Sequence, residues 1–343
     1  MNILLCVAMA FALISPSANA LSTKQGSGAE ASLDFLMLGD WGGTSTYPYA
    51  LPQQKRAAKA MTQFSPRFIL GLGDNFYKTG IDTDEYSERF DKTWAEVYTP
   101  SVPWYLCAGN HDYKGNVTAQ IAYTADAEFW NFPDYNYNIV EKWTETDGSE
   151  YSLEVILIDT INLVGMADEQ DDHENPAYFH QPTGPKDAAL AASQWDWLEE
   201  TLKASTADFI IVGGHYPVYS VCDHGPTQAL EDQLAPLLQQ YNAHYMSGHD
   251  HCASHVVDEK GVNYILNGMG DECCYEPSNL PTVNNLVGKD ATKFYVAKGH
   301  NPTHAVSGFT SASVSKDGMV IRYHDQDGEV LFTADTVPLR PRQ

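Results

Sequence analysis

Five short blocks along the chain carry the residue types that hold metal ions: Gly39-Asp40-Trp41-Gly42, Gly73-Asp74-Asn75-Phe76-Tyr77, Gly109-Asn110-His111-Asp112, His215-Tyr216-Pro217 and Gly248-His249-Asp250-His251. Together they offer the carboxylates of Asp40 and Asp74, the amide oxygen of Asn110, the imidazoles of His215, His249 and His251, and the phenol of Tyr77. That is too many donors for one ion. It suits two cations roughly 3.5–4 Å apart that share one carboxylate. None of the blocks contains a cysteine, which argues against a structural thiolate zinc site. Carboxylate, imidazole and especially phenolate favour a hard trivalent ion at one of the two positions, so Tyr77 is read as a ligand to Fe(III). Each block is weak alone, because an aspartate after a strand more often caps a helix. The weight lies in their number, their order and their common place after apolar runs. His244 and His255 stand in no such block and are assigned no role.

The elements that must position these blocks are legible as apolar runs at 33–38, 67–73, 102–109, 152–160, 207–214 and 243–248. Continuous apolar strands between helices indicate a sheet covered on both faces. Helices are predicted over 53–63, 84–97, 188–203 and 227–241, with Leu190, Trp195, Leu198 and Leu202 on one face of the third. In open α/β sheets ligands bind beyond the carboxyl ends of strands, and five blocks at such ends can converge. From about residue 251 the texture changes to hairpins, turning near Glu259-Lys260-Gly261, at Lys316-Asp317-Gly318 and at Asp327-Gly328. The prediction is an α/β chain forming one domain, 33–343, of two packed sheets with helices outside. The acidic stretch 166–187 reads either as a surface insertion or as a mobile lid over the site.

Composition narrows the partners. Against 45 acidic residues stand 20 basic ones, a net charge of −25, which excludes a phosphate-backbone partner such as nucleic acid and docking on an anionic membrane. An anionic substrate would then need a metal centre to neutralise it. Residues 1–20 read as a secretory signal peptide cleaved after Ala20, although its start lacks Lys or Arg. Its apolar run is shorter than a spanning helix needs, so no stable membrane insertion is expected. Residues 21–32 read as a flexible leader. Secretion leaves five cysteines: Cys107, expected as a buried thiol, and Cys222, Cys252, Cys273 and Cys274, which could form one bridge or two. Asn116-Val117-Thr118 is a glycosylation sequon, whereas Asn301-Pro302-Thr303 fails on its proline.

The five blocks resemble the signature of the purple acid phosphatases, within the calcineurin-like metallophosphoesterases. Stretches such as GNHDYKGNVTAQIAY, GHYPVYSVCDHGPT and SGHDH resemble the small, tartrate-resistant type. General members of the superfamily begin with Asp-x-His; here the first block is GDWG. The resemblance implies a four-layer α+β fold and an acid phosphatase acting on small phosphate monoesters or phosphoproteins. It implies Fe(III) on Asp40, Asp74, Tyr77 and His251, and a divalent ion (Fe, Zn or Mn) on Asp74, Asn110, His215 and His249. It also implies His111 as a phosphate contact, His224 as the group that protonates the leaving oxygen, and a hydroxide on the metal pair as nucleophile. A monomer in a secreted or lysosome-like compartment is expected. Tyr113 departs from the pattern, standing where the small purple enzymes carry a second histidine, and Cys273-Cys274 has no counterpart. A phosphodiesterase or nucleotide hydrolase on the same site, iron-dependent generation of reactive oxygen species, and a metal-free binding module are the rival readings.

Overall fold

A computed structural model describes residues 20–22, 32–83, 87–167, 181–301 and 303–341. Two mixed sheets pack together with helices on their outer sides. The first has seven strands, ordered Val330–Thr333, Gly318–Asp325, Gly308–Ser315, Leu33–Leu38, Phe68–Leu72, Trp104–Cys107 and Trp130–Asn131. The second has eight, ordered Ala20–Ser22, Tyr137–Thr144, Glu150–Leu157, Phe209–Gly213, His244–Ser247, Asn263–Asn267, Ala253–Val257 and Thr292–Val296. The expected fold class is the one observed. Beyond Ala20–Ser22, the signal peptide and nearly all of the leader lie outside the described residues.

The apolar runs are continuous because both faces of these strands are covered. In the second sheet Leu153, Val155 and Leu157 join one buried cluster with Phe35 and Met37 of the first sheet, while Ile156 and Ile158 join another with Leu198 and Leu234 of the outer helices. This is the two-residue alternation of a strand between two apolar layers. The first sheet carries a dense aromatic group between its strands and outer helices, in which Trp41 meets Trp104 edge-on at 5.4 Å and Tyr98 at 5.8 Å. Such rings bury large areas in fixed geometry. Trp41 is fully buried and follows Asp40 directly, so this packing anchors the first block.

One expectation fails in detail. In the helix Ala188–Ala204, Leu190 is 44 % exposed, and the buried stripe runs through Ala191, Gln194, Leu198 and Leu202. At 3.6 residues per turn Leu190 falls about 100° from that stripe, and Asp187 caps the helix through the N–H groups of Ala189 and Leu190. The strand Tyr137–Thr144 and the helix Leu280–Val287 were not foreseen. The first places the charges Glu141 and Lys142 inside its apolar run, and the second is a short helix of eight residues.

Candidate metal centre

The five blocks do follow strands, but not strands of one sheet. Asp40, Asp74 and Asn110 follow three adjacent parallel strands of the first sheet, and His215 and His249 follow two adjacent parallel strands of the second. The two sets of carboxyl ends face each other where the sheets meet. Gly39 N–H donates to Asn267 O at 2.8 Å, and a Cβ on Gly39 would lie 2.6 Å from Gly248 Cα. Glycine at Gly109 serves the same closeness: a Cβ there would stand 2.2 Å from Asp74 Oδ1. Three of the block residues, Asp40, Asp74 and His249, adopt φ values of +59°, +51° and +76°. For non-glycine residues these are costly conformations that cluster at functional sites.

The donor atoms fall into two groups joined by Asp74. In the first, Tyr77 Oη donates to Asp40 Oδ1 at 2.9 Å and lies 2.9 Å from His251 Nε2. In the second, His215 Nε2 is 2.9 Å from Asn110 Oδ1 and 3.4 Å from Asp74 Oδ1. Atoms of Asp40, Asp74 and His215 all lie within 4.8 Å of one another. Backbone bonds hold both carboxylates, since His249 N–H donates to Asp40 Oδ2 at 2.6 Å and His111 N–H to Asp74 Oδ1 at 2.9 Å. Asp40, Asp74, Asn110 and His215 are all buried, and His249 nearly so.

Two observations test whether these residues fit cations. His215 Nδ1–H donates to Leu72 O at 2.9 Å, which leaves Nε2 as a bare lone pair pointing at the oxygen of Asn110. Two lone pairs in contact repel, and a cation beside them removes the conflict. His251 Nε2 lies 2.9 Å from the Tyr77 hydroxyl, and the buried Nδ1 of the same ring has no hydrogen-bond partner among the described residues. The donor set fits a pair of metal ions.

Electrostatics agrees. Burial, and then the charge of Asp74, raises the Asp40 carboxyl well above the usual range. Burial works against the Asp74 carboxylate as well, but His215, His111 and the His111 N–H more than offset it and leave it low. Burial, then Asp40 and Asp74, keeps the Tyr77 phenol protonated in the absence of a cation. Desolvation pushes His249 down strongly and His251 to about 3, so both present neutral nitrogen lone pairs.

Around this core stand the remaining expected residues. His111 packs edge-on to Tyr77 at 4.6 Å, with Nε2 3.9 Å from Asp74 Oδ2. His224, half-buried, stacks on His249 at 4.2 Å. It faces a cleft lined by Ala167, Gln181, Pro182, Tyr216, Thr227 and His249. Thus Ala167 at one end of the 166–187 segment and Gln181 and Pro182 further on border the cleft, while residues 168–180 lie outside the described ones. Asn116 is remote in role: its side-chain oxygen caps the helix Val117–Ala122. Tyr113 donates to Asp159 Oδ2 at 2.7 Å, so its hydroxyl is committed to a buried acid.

Sequence reasoning missed the residues that hold the blocks together, although two of them lie inside the blocks. Asp112 accepts from the N–H groups of Gly109, Asn75 and Phe76 at 2.8, 3.0 and 3.2 Å and so pins the Asp74 loop to the Asn110 loop. Asp250 accepts from the N–H groups of His224 and Gly225 at 3.0 and 3.2 Å. Cys222 is bridged to Cys252, which ties the same two loops covalently, and Cys273 to Cys274, while Cys107 is a buried free thiol.

A two-sheet sandwich with metal donors at facing strand ends defines a metallophosphoesterase, and the family model of calcineurin-like phosphoesterases matches residues 33–253. The chain is 35 % identical over 324 residues to human tartrate-resistant acid phosphatase type 5, covering 92 % of this chain and 94 % of that protein. It is 26 % identical to Purple acid phosphatase 17 of Arabidopsis thaliana, over 96 % of this chain and 92 % of that protein. In structure it is similar to GAP50, the anchor in the inner membrane complex of Plasmodium, with TM-score 0.69, 22 % identity and coverage of 92 % and 91 %; that likeness speaks to the fold alone. The chain belongs to the calcineurin-like phosphoesterases, in the branch of the tartrate-resistant and purple acid phosphatases. No helix among the described residues is long and apolar enough to cross a membrane.

Proposed function

We propose that this protein is a secreted acid phosphatase that hydrolyses phosphate monoesters, small or protein-borne, at a dinuclear centre. One position would be Fe(III) on Asp40, Asp74, Tyr77 and His251. The other would be Fe, Zn or Mn in the divalent state on Asp74, Asn110, His215 and His249. The observation that carries this reading is the position of Asp74, with one oxygen 3.4 Å from His215 and its charge felt at Tyr77. When bound, the metal pair supplies an activated water and neutralises the charge spread over the phosphoryl oxygens in the transition state.

The chain's own residues do the rest. Asp40 and Asp74, locked by backbone N–H groups, orient the donors without reorganisation during reaction. His111 stands at the open edge of the Asp74–Tyr77 side with Nδ1 donating to Lys78 O at 2.7 Å, so that as imidazolium its Nε2 would donate to a phosphate oxygen. His224 faces the cleft where the alcohol portion of the ester would leave, and its imidazole is placed to give that oxygen a proton. The Cys222–Cys252 bridge supports an oxidising, secretory destination, the one a signal peptide over residues 1–20 would give. Glycosylation at Asn116 and a monomeric state are part of the same proposal.

The test is a visible absorption spectrum with metal analysis on one sample, wild-type against Tyr77→Phe, alongside a panel of mono- and diesters. Two metals per chain, a visible band lost on Tyr77→Phe, and preference for monoesters are expected. A colourless protein with two Zn or Mn ions would sink the iron assignment, and preference for diesters would sink the substrate class.

A further inference from the structure

His251 lacks the brace that metal-binding histidines ordinarily have. Such a histidine donates its second ring N–H to a carboxylate, a carbonyl or water, and this fixes the plane of the ring. His215 follows that rule, with Nδ1–H on Leu72 O. In His251, Nε2 lies 2.9 Å from the Tyr77 hydroxyl, while Nδ1 is buried and has no hydrogen-bond partner among the described residues. What lies against the ring instead is Tyr275. The two rings are parallel to within 6°, with centroids 4.7 Å apart. Tyr275 also meets His224 edge-on at 5.5 Å, so it stands between the two histidines.

Tyr275 is itself held on several sides. Its N–H donates to His251 O at 3.0 Å, and its carbonyl accepts from Lys298 N–H at 2.7 Å. Just beyond it, Glu276 N–H donates to Asp223 Oδ2 at 3.3 Å and the Ser278 hydroxyl donates to the same carboxylate. The Asn279 amide donates to Cys222 O at 2.8 Å, which fastens this segment to the loop of His224. We propose that Tyr275 is a positioning residue: its ring, stacked face to face on His251, sets the plane in which Nε2 meets a metal ion and takes the place of a hydrogen bond to Nδ1. The physical reason is that tilting one of two parallel rings gives up contact across the whole face. The stack needs a flat ring and not the hydroxyl. This inference rests on the dinuclear reading above.

The experiment compares wild-type with Tyr275→Phe, which keeps the flat ring, and with Tyr275→Leu and Tyr275→Met, which fill the space without one. Three quantities are read: the rate at which the loaded protein gives up iron to a chelator, the visible band, and the melting of the metal-free protein. Tyr275→Leu and Tyr275→Met should lose iron at least about tenfold faster than wild-type, with a shifted visible band, while Tyr275→Phe stays within about twofold. All the metal-free variants should fold. Iron release at the wild-type rate in both aliphatic variants overturns the inference alone. So does a Tyr275→Phe as impaired as Tyr275→Leu, which would assign the effect to the hydroxyl, and so does failure of both aliphatic variants to fold without metal. A wild-type protein that takes up no iron overturns the dinuclear iron reading, and this inference with it.

Discussion

His215 Nε2 and Asn110 Oδ1 lie 2.9 Å apart across the boundary between the two sheets, each offering a lone pair to the other. One follows a strand of the second sheet and the other a strand of the first, so the contact joins the two halves of the domain at the site. A cation held there would link the two sheets as well as serve catalysis.

The His215–Asn110 contact leads to a prediction on metal loading. His215→Ala should reduce bound metal from two ions per chain to one and lower phosphatase activity at least about 100-fold. It should also abolish the rise in melting temperature that wild-type shows when the divalent ion is titrated in. Calorimetric melts with and without metal check this, and an unchanged metal count in the variant would remove His215 from the site.

Asp250 anchors the loop of His224 through two charge-assisted hydrogen bonds. Asp250→Asn weakens both while keeping the volume, so about tenfold loss in kcat with both metals retained is expected. Loss of metal together with activity would show instead that Asp250 supports its neighbours His249 and His251.

The Cys222–Cys252 bridge closes a loop with a sequence separation of 30 and holds the His224 loop against the His249–His251 block. By loop entropy, Cys222→Ser with Cys252→Ser should cost about 3 to 4 kcal/mol. Urea unfolding under non-reducing conditions reads this directly; a loss below about 1 kcal/mol would mean that the loops are held by packing and Asp250 alone.

Acid stability has a separate origin. His244 and His255 are buried between strands away from the metal donors, and desolvation holds each at about 4. Their folded values lie below the unfolded value of 6.5, so between pH 6.5 and 4 the unfolded chain binds more protons. Their contribution is therefore complete above pH 6.5 and is lost as pH falls toward 4, at up to about 1.4 kcal/mol per unit for each group. Unfolding free energy measured from pH 7 to 4 should fall less steeply for His255→Asn than for wild-type. An identical slope would assign the acid loss to carboxylates.

The seven candidate donor positions could be picked out because each lies in a block that opens at a local junction the chain announces by itself: an apolar run, a glycine, a polar residue. Strand ends are set by neighbours in sequence, as at Gly73-Asp74 and Gly248-His249, and the expected two-sheet class followed from the same runs. Local pattern also misled at Leu190, where apolar character alone suggested burial and the helix face turned it outward.

What the sequence by itself determined, then, was an inventory of donors and the order in which strands deliver them. Only the tertiary structure decided that the donors divide three strands against two across a sheet boundary. It alone showed that Asp112 and Asp250 bind the loops and that Gly39 is bonded to Asn267 across the sheets. The physical reason is range. A strand end or a turn depends on a few adjacent residues, whereas the contact of Gly39 with Gly248 or with Asn267 depends on how two whole sheets pack, and no short window of sequence contains that information.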